Sequence, residues 1–453
     1  MSGNDITATL LARARALYAR GDDAAARQAY LDVLGQDPTL FSALNELGTL
    51  ALATGHRAAA RTAYEHAVKL HRENPLARVN LGNLLLEDED LPGARTQFEA
   101  ALGIDDSICE AHRGLARILS ALGEESLAAP HWRKGFGGDA ALVAQRYRGA
   151  DAGVPVLLLV SARGGNIPTQ RFLGDRTFAV TALYAEFFEP ARPLPPHDVV
   201  FNAIGDADLC GEALTCADTI LARTAAPVIN PPANIRTTTR AAVAQRLAAL
   251  TGVIAPDVRQ TTRAALSNAD DLTFPLLLRA PGFHTGRHFL RVEGGDGMAD
   301  ALAALPGDAV LAIEYLDARG ADGFARKYRV MFIDGALYPL HLAISADWKV
   351  HYFTAAMAGS AAHREEERHF LEDMPGVLGE RAMYALTQIV DTIDLDYGGI
   401  DFGLSPDGSL LLFEANATMV INLPDPNPVW DYRREAISCA LGAAKQMVAD
   451  RAA

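Results

Sequence analysis

The strongest constraint on how this chain folds is a 34-residue period in its first third. Ala26, Ala60, Ala94 and Ala128 recur at that spacing, and each is followed four residues later by an aromatic: Tyr30, Tyr64, Phe98 and Trp132. A step of four puts the small residue and the ring on one face of a helix. Leu47-Gly48, Leu81-Gly82 and Leu115-Ala116 fill a second recurring position, and Gly21, Gly55 and Gly123 stand where the chain must turn between helices. A unit this short cannot bury its own apolar face, so successive units must stack and share a core.

Period and pattern resemble the tetratricopeptide repeat. Four units cover about residues 7–138; the first is atypical, with Arg13-Ala14 where Leu-Gly is expected, and Pro38 closes it in the usual place. The resemblance implies an all-α solenoid whose concave face binds a peptide segment or a partner domain, with self-association as the competing use.

The chain has 453 residues, 49% of them hydrophobic, and the 300 or so beyond the repeats are enough for one or two further domains. A formal net charge of -15 argues against a general nucleic-acid binder and against attraction to anionic membranes. Any phosphate site must therefore be locally basic. Residues 1–9 lack the basic start and apolar core of a signal peptide, and no apolar run approaches the ~20 residues of a membrane span, so the expected location is cytoplasmic. Cys109, Cys210, Cys216 and Cys439 show no metal-type or paired spacing and are expected to be buried small hydrophobes.

Composition shifts after residues 148–153, Arg-Gly-Ala-Asp-Ala-Gly. Residues 154–161, 178–184 and 198–204 are short branched apolar runs that read as strands of a parallel sheet, with Ala162-Arg163-Gly164-Gly165-Asn166 as the loop at the first strand's carboxyl end. Further on, residues 241–250 read as a helix, and 274–279 and 289–292 as strands joined by a turn with Gly282 and Gly286. Between Arg236 and Arg291 the charged basic residues are all arginine and outnumber the acids, a local positive field in an acidic protein. Residues 309–316 form another apolar strand ending in Glu314, Tyr315 and Leu316. Lys327 and Arg329 share a face of a strand running to Ile333; Asp334-Gly335 turns it back, with Pro339 marking an edge or bulge. Lys349 and His351 follow, and His341 reads as a core or hairpin residue. The last segment, after Pro428, reads as a helix with Trp430, Ile437 and Leu441 on its apolar face.

The most chemically specific stretch is residues 398–420. Two apolar runs flank Ser405-Pro406-Asp407-Gly408, so the unit reads as a hairpin. Paired residues share a face, so a loop of even length brings Asp401, Glu414 and Asn416 together on one side. Glu414 arrives on a strand apolar on both faces and needs a partner. An Arg or Lys could neutralise it; alternatively, two carboxylates and an amide oxygen make a hard oxygen set of the kind Mg²⁺ prefers.

Asp401 with Phe413-Glu414-Ala415-Asn416 resembles the metal-binding hairpin of ATP-grasp ligases, a family that includes D-alanine:D-alanine ligases, glutathione synthetases and ribosomal-protein glutamate ligases. The resemblance implies ATP and Mg²⁺ as cofactors, with Asp401, Glu414 and Asn416 as metal ligands. It implies nucleotide contacts from Arg240, Arg279, Gly282, Gly286, Glu314, Tyr315 and Leu316, and catalytic roles for Arg329, Lys327 and Lys349. Arg240 and Arg279 stand where the family often carries lysine, which alters the phosphate geometry. The implied activity is ATP-dependent joining of a carboxylate to an amine through an acyl phosphate, on a peptide or protein recruited by the repeats; the alternative is a nucleotide-binding scaffold with a degenerate site. The expected organisation is a repeat solenoid (1–138), a linker (139–153), an α/β lobe (154–232) and an α+β ATP-grasp domain (233–453).

Overall fold

The computed structural model describes residues 3–269, 271–281, 288–350, 355, 357–425 and 427–453. The chain divides into two compact units. One comprises Met1–Leu142 with Phe187–Glu189; the other comprises Val143–Glu186 and Pro190–Ala453.

The first unit holds four helix pairs: α1 (Gly3–Arg20) and α2 (Asp23–Gln36), α3 (Phe41–Ala53) and α4 (Arg57–Leu70), α5 (Pro75–Glu87) and α6 (Leu91–Ile104), α7 (Cys109–Ala121) and α8 (Glu125–Phe136). The periodic alanines explain the pairing. Ala26, Ala60, Ala94 and Ala128 are all fully buried, and the rings that follow them are buried too. At Gly48 an added Cβ would lie 2.5 Å from the Tyr64 ring, and at Gly114 one would lie 2.3 Å from the Phe98 ring. The small residue is thus the slot into which the neighbouring helix sets its aromatic. Gly21, Gly55 and Gly123 adopt the left-handed backbone at the turns, and Glu89 adopts it at the matching turn of the third repeat, a position without glycine in the sequence.

The second unit contains three sheets. The first has the order β1-β3-β2-β4-β5, from β1 (Leu142–Ala144), β2 (Val154–Val160), β3 (Phe178–Tyr184), β4 (Val199–Asn202) and β5 (Val228–Ile229). Strands β2, β3 and β4, the three apolar runs, pair in parallel as expected, and β5 joins β4 in parallel. Helix α9 (Gly211–Leu221) lies between β4 and β5, and α10 (Pro232–Arg236) and α11 (Arg240–Leu247) follow β5, the last starting one residue earlier and ending three earlier than expected.

The second sheet, order β7-β10-β8-β9, joins β7 (Val258–Thr262), β8 (Leu276–Arg279), β9 (Phe289–Val292) and β10 (Ala309–Glu314), while β6 (Val253–Ile254) belongs to the third sheet. Helices α12 (Arg263–Ser267) and α13 (Met298–Ala304) lie in the same stretch of chain. Leu266, Leu278, Val292, Met298 and Leu302 form their shared core.

The third sheet, order β12-β11-β13-β14-β6, uses β11 (Ala325–Ile333), β12 (Ala336–Ser345), β13 (Tyr397–Leu404) and β14 (Leu410–Asn416). Asp334 and Gly335 both adopt positive φ at the β11–β12 turn, and Pro339 sits at a register shift on the edge strand, fulfilling both halves of the reading of that proline. Helices α14 (Ala361–Glu372), α15 (Met374–Ile393) and α16 (Arg434–Arg451) complete the unit, and α16 packs on β11 and β12. Its buried face is Ile437, Ala440, Ala444, Met447 and Val448; Leu441 is half-buried, and Trp430 precedes the helix in a 3-10 turn.

Two expectations need correction. The β13–β14 loop has five residues, Ser405 to Ser409, so its length is odd, and the shared face of Asp401 and Glu414 has another cause, given below. Of the four free cysteines only Cys210 is buried, and Cys439 is exposed. Glu314 lies at the exposed end of its strand, and its carboxylate accepts a 3.0 Å bond from the Asp257 N–H. Gly282, Gly286 and His351 lie outside the described residues.

Candidate functional site

A charged row crosses the third sheet. His341 of β12 opposes Arg329 of β11, Arg329 opposes Asp401 of β13, and Asp401 opposes Glu414 of β14. Directly opposed residues share a face, so these four side chains stand in line. Lys327, two residues from Arg329, lies on the same face, as does Asn416, two residues from Glu414. Two bulges border the row. One falls between Arg329 and Val330; the other falls between Asp401 and Phe402, where β14 contributes the extra residue Phe413. Without that residue in excess, the five-residue loop would set Phe413 opposite Asp401 and turn Glu414 to the other side.

Within the row, charges are paired. Arg329 grips both oxygens of buried Asp401, Nε to Oδ1 at 2.6 Å and the terminal nitrogen to Oδ2 at 2.8 Å, and Lys327 Nζ adds a 3.0 Å bond to Oδ2. Burial opposes the Asp401 charge, but Arg329 and Lys327 outweigh it and hold the carboxyl well below the usual carboxylate range. Burial also pushes buried His341 far down, reinforced by Arg329, so it is neutral. Arg240, the first residue of α11, reaches Glu414 Oε1, and Asn416 Nδ2 donates to the same oxygen at 2.8 Å. Burial works against the Glu414 charge too; Arg240 and Arg279 overcome it and the net shift is downward. Among the described residues no donor reaches Glu414 Oε2. The Asn416 amide oxygen accepts the Thr418 N–H at 2.9 Å and its hydroxyl at 3.0 Å. That bond fixes the amide with its NH₂ group toward Glu414.

These residues, His341 apart, open onto one cavity of about 310 Å³. Arg240, Arg279, Glu314, Tyr315, Leu316, Lys327, Arg329, Lys349, Asp401, Glu414 and Asn416 all line it, so every sequence-predicted site residue among those described converges there. Its described lining carries six cationic side chains, Arg326 completing the set, and three anionic ones. Arg326 itself is turned to Asp322 and Glu366. Arg279 is mostly buried; desolvation, reinforced by Arg240, pushes its pKa down to about 10, so it stays charged at neutral pH. Burial, and then Arg279, also lower Lys349, whose Nζ lies 3.3 Å from the Phe289 carbonyl.

The far side of the cavity is apolar and aromatic. Phe289 meets Trp348 edge-on at 5.5 Å, Trp348 meets Tyr315 at 6.4 Å, and the Arg291 guanidinium lies 4.1 Å over the Tyr315 ring. Leu277, Ile313 and Phe413 add apolar walls. Tyr315 and Leu316 follow Glu314, the last paired residue of β10. A smaller cavity of about 80 Å³ shares Arg240, Arg279, Glu414 and Asn416 and reaches Asp206 and Asp208 in the loop after β4. Asp208 accepts the backbone N–H of Arg240 at 3.1 Å. The loop of Gly164 and Gly165, closed by Asn166 on Ser161, does not line either cavity.

Sequence reading missed Thr418, Trp348 and Phe289. Thr418 follows Asn416 by two, the spacing of an Asx turn, and was open to detection. The rings come from separate strands and loops, and only the fold brings them together.

Chemically, the site pairs an apolar, ring-lined end with a cationic middle and two carboxylates beside an amide oxygen. Two carboxylates and an amide on one face are the kind of hard oxygen set that a cation such as Mg²⁺ prefers, and among the described residues no donor reaches Glu414 Oε2. Among the described residues no group of three or more His, Cys, Asp or Glu side chains forms a metal cluster. No helix among them is long and apolar enough to cross a membrane.

The N-terminal helices are tetratricopeptide repeats, and the family model for that repeat matches residues 45–107. Solved structures similar to the chain include a crystal structure of MamA, 22% identical over 27% of this chain and 72% of that one, with a TM-score of 0.26. Another is MamA 41-end from Desulfovibrio magneticus RS-1, at 23% identity, 29% and 73% coverage, and a TM-score of 0.27. A third is the first repeat domain of Spaghetti (RPAP3) bound to the HSP90 peptide SRMEEVD, at 20% identity, 26% and 93% coverage, and a TM-score of 0.25. No curated protein matches the chain.

Proposed function

We propose that the second unit is an ATP-grasp carboxylate–amine ligase and that the repeats recruit its peptide or protein substrate. The observation that carries this is the convergence of Asp401, Glu414 and Asn416 with Arg240, Arg279, Lys327, Arg329 and Lys349 on one cavity with an aromatic end. The apolar end, with Tyr315 and Leu316 beside Phe289 and Trp348, suits a planar base. The cationic middle suits a polyphosphate, and concentrates positive charge in a chain of net charge -15. Mg²⁺ held by Asp401, Glu414 and Asn416 would neutralise phosphate charge and favour departure of the nucleoside diphosphate.

Around that centre the chain's own groups position and stabilise. Arg329 and Lys327, fixed on one strand face, hold an incoming carboxylate or the transferred phosphoryl group. Arg240 and Arg279 stabilise charge that develops on the phosphates. A substrate carboxylate oxygen takes the terminal phosphoryl group, and the P–O bond to the nucleoside diphosphate breaks. The amine then attacks the acyl carbon, inorganic phosphate leaves, and the amine gives up one proton as the amide forms.

The test is release of ADP and phosphate in the presence of peptides captured by the full-length protein, with mass spectrometry of the peptides afterwards. The ligase reading expects turnover with a new amide in one captured species, lost in Glu414→Ala and Asn416→Ala. Binding of ATP with no turnover against any captured species favours a nucleotide-binding scaffold instead.

A further inference from the structure

We propose that a divalent cation and a polyanion enter this cavity only together, because the chain's own cations occupy the carboxylates that take the metal. The inference rests on the metal–nucleotide reading of the site and adds to it a binding order and the residue that enforces it.

Three features carry it. Both oxygens of Asp401 are engaged by Arg329, and Oδ2 is shared with Lys327. Glu414 Oε1 is held by Arg240, and the Asn416 oxygen by Thr418. Arg326 aside, which is held by Asp322 and Glu366, the described cavity lining has five cationic side chains against three anionic ones. A bare dication therefore approaches an excess of positive charge and must displace ion pairs, leaving cations buried without partners, a costly state. A polyanion alone draws the same cations but lies beside two carboxylates freed of their partners. When both enter, Arg240, Arg329 and Lys327 move from carboxylate to phosphate and the carboxylates turn to the metal. Every charge then keeps a partner.

Arg240 is the latch that can be altered without breaking the core. It reaches Glu414 from the first turn of α11, whereas Arg329 lies in the middle of the sheet with two bonds to a buried carboxylate. The two binding energies are coupled through it, and the coupling is reciprocal.

The experiment is titration of Mn²⁺ by electron paramagnetic resonance on the full-length protein, with and without a non-hydrolysable ATP analogue. Wild type is expected to bind Mn²⁺ at least a hundredfold more weakly alone than with the analogue. Arg240→Gln should bind Mn²⁺ alone at least tenfold more tightly than wild type, and bind it more weakly in the presence of the analogue, so the coupling shrinks from both sides. Arg240→Lys, which keeps the charge, should retain most of the coupling; thermal melts of both variants check that the fold is intact. Equal Mn²⁺ affinity with and without the analogue in wild type overturns the proposal, as does an Arg240→Gln protein whose affinity for Mn²⁺ alone is unchanged. If wild type binds neither the analogue nor Mn²⁺ beside it, the metal–nucleotide reading itself fails, a result distinct from metal binding that is merely uncoupled.

Discussion

Asp401 stands opposite Glu414 because Phe413 is bulged out of the ladder between them. The loop of five residues sets a register in which Leu404 meets Leu410 and Phe402 meets Leu412. Continued unchanged, that register would bury the Glu414 side chain on the far side of the sheet. The bulge adds one residue, brings both Phe413 and Glu414 onto the cavity wall, and places a ring beside a carboxylate.

Replacing Asp401 by Asn tests the row's electrostatics. Arg329 and Lys327 would lose the counter-charge they share at a site where Asp401 is 3% exposed. Removing one partner of a buried pair costs about 3–5 kcal/mol, so Asp401→Asn should lower the stability of the C-terminal unit by that order in urea unfolding. The sign with pH follows from the depressed Asp401 pKa. The unfolded carboxyl binds its proton near pH 4, before the folded one does, so the pair's stabilisation is present above about pH 4 and is lost as pH falls further. Acid unfolding followed by circular dichroism should be less steep in the variant.

The last repeat carries a second pH response. His112 Nδ1 and His131 Nδ1 lie 2.8 Å apart, and His112 Nε2 lies 2.9 Å from the Asp106 carbonyl. A carbonyl only accepts, so His112 donates through Nε2 and its Nδ1 accepts the proton of His131. Burial lowers the His131 pKa, and His112 and then Lys134 lower it further, against Asp106 and Glu99. The folded form therefore resists the proton that the unfolded chain takes up below about pH 6.5, and stability of this repeat should fall as pH drops through that range. His131→Gln should flatten the dependence, measured as the hydrogen-exchange protection of α7 and α8 between pH 7.5 and 5.5.

Phe98 is the ring on which two repeats depend. It is fully buried and faces both Gly82 and Gly114, whose added Cβ atoms would lie 2.8 Å and 2.3 Å from it. Phe98→Ala should cost about 3–5 kcal/mol, a cavity in a core that neighbouring helices cannot close. Differential scanning calorimetry should show the transition of the repeat unit moving down while that of the C-terminal unit stays in place.

How far the sequence carried the account differs between its parts. The repeats were legible nearly to the residue, because a period of 34 fixes alanine, aromatic and turn positions at once. Only Glu89 departed, taking a left-handed turn where three repeats use glycine. In the second unit strands were legible from apolar runs, and the facing of Lys327 and Arg329 followed from alternation. The partners were not legible. Both readings of Glu414, neutralised by arginine or placed for a metal, were open, and the structure shows Arg240 on it from 174 residues away. The register of β13 on β14 depended on a bulge that leaves no trace in residue type. The Glu314 carboxylate is held by the Asp257 backbone, a contact that depends on how two distant strand ends meet.

The most direct test of the central claim is isothermal calorimetry of Mg²⁺ and ATP on wild type, Glu414→Ala and Asn416→Ala. The account predicts ATP binding that strengthens with Mg²⁺ in wild type, and loss of that Mg²⁺ dependence in both variants while their thermal unfolding remains cooperative. ATP binding that is the same with and without Mg²⁺ in wild type, or a Mg²⁺ dependence preserved in Glu414→Ala and Asn416→Ala, would contradict it.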